Sequence, residues 1–195
     1  MKDLSKQDET NLAKKQFKEV KEKIFNLLSF QKDNSEELEF LNKTTILFVN
    51  NQHANYAAYA DFDYKYFDFR NEDYIHAIVY NIASTTDNTN LFIHELAHLI
   101  CIQYNILNEN QSGHHCLEFA IINYCIQWKA IYQKINIHKS FFRSSDIKDD
   151  KSFPTLCVNV CQFDSFIKNI EWQTLSELVR ESKRLAKLIR QKSIK

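Results

Sequence analysis

Two histidines four residues apart, with a glutamate beside the first, carry the clearest chemistry in this chain: His94-Glu95-Leu96-Ala97-His98. On a helix, side chains at i and i+4 project from one face, one turn apart, so both imidazoles can hold a single metal ion. Glu95 is turned too far round the helix to ligate easily. It is near enough to take a proton from water that the metal polarises. Zinc is the metal this spacing usually takes, and the chemistry implied is metal-assisted hydrolysis.

That chemistry needs a helix, and residues 89–107 read as a buried one. Leu91, Phe92, Ile93, Leu96, Ala97, Leu99, Ile100, Cys101 and Ile102 make it apolar nearly all round, the pattern of a core helix. Two imidazoles and a carboxylate cost several kcal/mol to bury without compensation, roughly; a divalent cation would supply it. Asp87-Asn88-Thr89-Asn90 offers N-cap side chains, and Asn108-Glu109-Asn110-Gln111-Ser112-Gly113 reads as the loop that ends the helix.

The chain's 195 residues, 44% apolar, suffice for one domain with a sizeable core. Lys plus Arg and Asp plus Glu are 25 each, so net charge gives no general pull on nucleic acid. Gly113 and Pro154 are the only residues of their kinds, so turns must rely on Asn, Asp and Ser. The odd number of cysteines (101, 116, 125, 157 and 161), without a secretory signal, is expected to be reduced thiols in a cytoplasmic protein. No apolar run is long enough to span a bilayer, and no membrane partner is expected.

Other elements frame the motif. An amphipathic helix is expected over 5–28, with Phe17, Val20, Ile24 and Leu28 on its apolar side and lysines among glutamates opposite. A short helix is expected over 35–41 and a strand over 44–50. Residues 56–82 are rich in Tyr and Phe. Their acidic neighbours Asp61, Asp63, Asp68, Glu72 and Asp73 would repel phosphate, which favours half-buried antiparallel strands over base stacking. Asn71-Glu72-Asp73 reads as a hairpin turn and 74–82 as a strand leading into the motif helix. His76 in that strand reads as a sheet-surface residue. A second long helix is expected over 114–135. Residues 136–170 are less regular, with a loop at 148–151 and a short strand over 156–160. Cys157 and Cys161 lack the second pair a zinc ribbon needs. The last helix is expected over 171–192, opened by a Thr174-x-x-Glu177 capping box. Its basic end suits the helix dipole, with a phosphate-backbone contact as the alternative.

Catalytic zinc usually takes three protein ligands plus water. The extended pattern that places Gly and His after the motif meets Cys101 and Tyr104 here, so it does not apply. Two candidates remain, both expected on the second helix: His115 and Glu118.

With its strand, HExxH helix, polar loop and His115-Cys116-Leu117-Glu118-Phe119 segment, the chain resembles the SprT-like (Spartan-type) metallopeptidases and their small zincin relatives. The resemblance runs from Tyr74 to about Trp128, roughly a quarter to a third of the chain. It implies that His94, His98 and His115 bind zinc and that Glu95 is the general base. It departs at Cys116, where that family usually has Gly, and in lacking the family's frequent C-terminal zinc ribbon. A rival resemblance, to thermolysin-like enzymes, would make Glu118 the third ligand. If His115 ligates, Glu118 would orient it from outside.

The expectation is therefore an α+β, zincin-like fold over 1–195. A helical segment (1–42) precedes a catalytic core (43–135), followed by a loop and C-terminal helix (136–195). In the core, a small antiparallel or mixed sheet packs on the motif helix and on a second, ligand-bearing helix. In such folds the strand nearest the metal commonly adds an extended substrate as a further strand, and 74–82 is the candidate. The expected activity is zinc-dependent hydrolysis of a protein or peptide. The alternatives are a non-catalytic zinc-stabilised binding module and a protease tethered to nucleic acid by its basic terminal helices.

Overall fold

The computed structural model describes residues 6–28, 39, 43–61, 76–83, 88–107, 115–135, 167 and 169–193. Among these, the fold is mixed α+β. Its elements are helix α1 (Lys6–Leu28), strands β1 (Thr44–Val49), β2 (Ala58–Asp61) and β3 (His76–Asn81), and helices α2 (Asn88–Gln103), α3 (Leu117–Tyr132) and α4 (Leu175–Ser193). None of these helices is long and apolar enough to cross a membrane. The short helix at 35–41 (Glu39 excepted), the turn at 71–73, the loop at 148–151, the strand at 156–160, His114, Cys157 and Cys161 lie outside the described residues.

The three strands form one mixed sheet in the order β1-β3-β2. β1 runs parallel to β3, with Ile46 opposite Ile78, and β2 runs antiparallel to it, with Ala60 opposite Ile78. The sheet is mixed, one of the two arrangements expected, and the pairing corrects one expectation: the 74–82 strand is no edge, because β3 is hydrogen-bonded on both sides. Its sequence, His-Ala-Ile-Val-Tyr-Asn, suits a central position because almost every residue is apolar and buried. Ile78 and Tyr80 face the main core, whereas Ala77 and Val79 pack with Leu47 and Val49 on the other face.

β1 and β2 are consecutive in the chain yet lie on opposite sides of β3, so the 50–57 loop must pass over the end of β3. Asn81, the last residue of β3 and fully buried, holds it there. Its Nδ2 donates to the carbonyls of Asn51 (2.9 Å) and Tyr56 (3.2 Å), and its Oδ1 accepts from the amides of Asn51 (3.1 Å) and Ala83 (3.2 Å). Both donors and both lone pairs of the side-chain amide are used, which is what makes its burial tolerable.

The helices cover the sheet face that carries Ile78 and Tyr80. α2 lies in the middle, and Phe92, Ile93, Leu96, Leu99 and Ile100 are all fully buried. α1 contributes Ile24 and Leu28 to the same core, as its periodicity predicts, and Lys21 Nζ donates to the Thr44 carbonyl at the start of β1 (2.8 Å).

α2 ends at Gln103, before the expected limit of 107. Asn105 takes a left-handed φ of 52°, Ile106 N–H bonds the Cys101 carbonyl (2.7 Å) and Asn105 N–H bonds that of Ile102 (3.0 Å). This is a Schellman stop with Asn in the role Gly usually has. α3 ends the same way. Lys134 has φ 60°, and Ile135 and Lys134 bond back to Ala130 and Ile131 (2.9 Å each).

At α4 the capping box forms as expected. Glu177 N–H donates to Thr174 Oγ1 (3.1 Å), and Glu177 Oε2 accepts from the amides of Thr174 (3.3 Å) and Gln173 (2.8 Å). α4 then packs Leu178, Leu185, Ala186 and Ile189 into the core.

Candidate metal centre

α2 presents His94 and His98 on one face, as i and i+4 geometry requires. His115 comes from the segment just ahead of α3. It stands one residue before the N-cap, Cys116, and so not on the helix as expected. Cys116 Sγ accepts from Phe119 N–H at 3.4 Å, an N-cap contact that a thiol makes more weakly than Ser or Asp. The turn aims His115 back across α2, where the three rings meet with centroids 4.8–5.0 Å apart.

One ring nitrogen from each of His94, His98 and His115 falls within 4.8 Å of the others. The Nε2 atoms of His98 and His115 are 3.2 Å apart. Two imidazole nitrogens on a tetrahedral zinc, each about 2.0–2.1 Å from it, are separated by about 3.3–3.4 Å. His98 Nδ1 is buried and has no hydrogen-bond partner. The ring therefore makes its polar contact through Nε2, the atom facing His115. The three residues are close enough to bind a metal ion, and an all-imidazole donor set suits zinc, copper, iron or nickel.

Sequence reasoning named Phe119 as part of the third-ligand segment without giving it a task. The structure places its ring against all three imidazoles. It stacks on His98 (4.3 Å, 27°) and His115 (4.8 Å, 17°) and meets His94 edge-on (5.1 Å, 79°). A buried apolar ring there limits how the imidazoles can turn and keeps water from that side. The signal was its spacing, four residues after His115.

Glu95 is 5% exposed. The backbone N–H of Ala60, on β2, donates to its carboxylate. Burial pushes the Glu95 pKa up to about 8, against the lowering effect of that hydrogen bond. Burial, and then the neighbouring imidazoles, push His98 down to about 2; burial and His115 push His94 down to about 3. Both motif histidines are thus neutral at physiological pH, the form that ligates metal.

Glu118 is turned elsewhere. Its Oε1 and Oε2 accept from Arg190 Nη1 (2.5 Å) and Nη2 (2.8 Å) on α4. Among the described residues, the metal-capable group is the histidine triad, and neither Glu118 nor His76 joins it.

The Asn81 N–H bonds the Ala57 carbonyl (2.8 Å), so by antiparallel alternation the backbone groups of Ala58 and Ala60 point away from β3. That outer side of β2 is where Glu95 takes its hydrogen bond. Comparison with protein-family models gives no match, and no curated protein or solved structure matches the chain significantly, so the SprT-like resemblance rests on the motif and its spacing.

Proposed function

We propose that this chain is a zinc-dependent, zincin-like peptidase with His94, His98 and His115 as ligands and Glu95 as general base. One observation carries the reading. Three imidazoles converge closely enough to hold a metal ion, His98 and His115 with their Nε2 atoms 3.2 Å apart, and a buried carboxylate of raised proton affinity stands on the helix turn that carries His94 and His98. Three protein ligands with a further position left for solvent is the usual arrangement of catalytic rather than structural zinc.

Zinc held there acidifies water and polarises a carbonyl. The protein supplies the rest. Glu95 Oε takes the proton from water and delivers it to the departing amine nitrogen, the task of a carboxylate whose pKa lies near the working pH. The Ala60 N–H fixes the position of that carboxylate. Phe119 holds the imidazole planes. The outward backbone groups of Ala58, with the Ala60 carbonyl, offer an extended peptide a strand to pair with. β2 takes over the role expected of 74–82, because among the described residues β2 has no strand on its outer side. Arg190 holds both Glu118 oxygens, which supports His115 over Glu118 as third ligand.

The deciding experiment is cleavage of an unstructured protein such as casein by the zinc-loaded chain, with and without a peptide hydroxamate. Hydroxamate-sensitive cleavage is expected. Tight zinc binding without cleavage would instead assign the site to a closed, stabilising role.

A further inference from the structure

We propose that Arg190, acting through Glu118, positions the third imidazole, so that zinc affinity depends on the C-terminal helix. The inference rests on the triad reading given above.

His115 stands one residue ahead of the α3 N-cap. Its placement depends on the first turn of α3, which carries Glu118. Across that turn, Arg190 forms a two-pronged ion pair with Glu118, whose side chain is 14% exposed. A planar guanidinium fork meeting a carboxylate in this way fixes orientation as well as distance. Two turns earlier on the same face of α4, Lys183 Nζ donates to the carbonyl of Tyr104, just past the end of α2 (3.4 Å). α4 therefore touches the chain at both ends of the 105–116 connection: where the motif helix stops and where the third-ligand helix starts. Its buried face, with Leu185, Ala186 and Ile189, anchors that bridge in the core. Zinc–nitrogen distances keep close to about 2.0–2.1 Å, so a strut that fixes the turn behind His115 acts on affinity.

The test is zinc affinity by competition with a chromophoric chelator, on the full chain, for wild type, Arg190→Met, Glu118→Gln and the double variant. Arg184→Met is the control, because Arg184 pairs with Glu181 on the exposed side of α4 (2.7 Å). Wild type should bind one equivalent. Each single variant should lose about ten-fold in affinity, the lower end of what loss of a group bonded directly to a ligand costs, because the pair acts on His115 through the helix turn. The double variant should lose no more than the worse single one, since the two residues act as a unit. The control should bind like wild type. Cobalt substituted into Glu118→Gln should give an altered visible spectrum, a change that general destabilisation would not produce. Glu118→Gln keeps the side-chain shape and decides the matter if Arg190→Met fails to fold. Wild-type affinity in either folded variant, even with a lowered melting temperature, overturns the proposal and leaves the triad reading intact. A wild-type chain that takes up no zinc overturns both.

Discussion

The Nε2 atoms of His98 and His115 lie 3.2 Å apart in an interior where burial keeps both motif histidines uncharged at neutral pH. Two imidazoles at that distance share at most one hydrogen bond, whereas a cation between them takes a lone pair from each. His115→Ala should therefore weaken zinc binding by more than the roughly hundred-fold that loss of an outer partner costs. His76→Ala should leave it unchanged. Competition titration measures both. Equal affinity in His115→Ala would remove His115 from the ligand set.

Glu95 differs from the ligands in what its loss should do. Glu95→Gln keeps the shape and the Ala60 N–H contact but cannot take a proton. Zinc content should stay at one equivalent, while peptide cleavage should fall by about 10²–10⁴-fold, the range general-base catalysis supplies. Full cleavage by this variant would assign the proton transfer to another group.

The same three residues set the pH dependence of the zinc-free protein. His94 and His98 have folded-state pKa values of about 3 and about 2 against an ordinary 6.5, so below pH 6.5 the unfolded chain binds protons that the folded chain refuses. Their contribution is complete above pH 6.5 and is lost as pH falls towards 3. Glu95, raised from 4.5 to about 8, works in the opposite sense: its contribution is complete below 4.5 and is lost as pH rises to about 8. Between 4.5 and 6.5 two histidines outweigh one glutamate. These groups alone then make stability rise by about 1.4 kcal/mol per pH unit. Above 6.5 only Glu95 acts, and stability declines. Urea denaturation of chelator-treated protein should show an optimum near pH 6.5, and Glu95→Gln should lose the alkaline decline. Stability that climbs steadily from pH 6.5 to 8 in the zinc-free wild type would contradict this account.

What the sequence made legible was local. His94, Glu95 and His98 share a helix turn, the α1 and α4 stripes follow a 3.6-residue period, and Thr174 and Glu177 sit three apart; each needs only neighbours in the chain. Strand order does not work that way. The apolar run Ala77–Tyr80 suits a buried strand, but which strands flank it depends on how the 50–57 loop crosses the sheet. The Glu118–Arg190 pair joins residues 72 apart, and two charges on amphipathic helices look solvated until the helices dock. The end of α2 was obscured because apolar periodicity continues through Ile106 and Leu107 after Asn105 has turned the chain.

The scarcity of glycine makes the second of the two Schellman stops testable. Lys134 is exposed and holds φ 60°, where a Cβ costs roughly 1–2 kcal/mol. Lys134→Gly removes that cost, offset partly by greater freedom in the unfolded chain, and should stabilise by about 0.5–1 kcal/mol. Asn105→Gly should gain less, because Asn tolerates the left-handed region. Thermal denaturation with zinc bound checks both, and a fall in melting temperature for Lys134→Gly would contradict the assigned conformation.

Asn81 links the fold to the site more directly than its place at a strand end suggests. Its side chain makes four hydrogen bonds, three of them to the loop that delivers β2 to the outer side of β3, and β2 supplies the Ala60 N–H that fixes Glu95. Asn81→Leu keeps the number and branching of the side-chain heavy atoms but leaves the backbone groups of Asn51, Tyr56 and Ala83 without their partner. A buried backbone group so stranded costs about 1–3 kcal/mol, so the total loss should be at least about 2 kcal/mol. Zinc affinity should change little, because the three imidazoles come from α2 and the segment ahead of α3, not from the loop that Asn81 holds. Peptide cleavage should fall further than zinc binding does, because Glu95 and the pairing edge shift together while the ligands stay. Denaturant titration, chelator competition and the cleavage assay on this one variant separate the three effects. Zinc affinity and cleavage lost in equal proportion would show that β2 steadies the metal ligands as well.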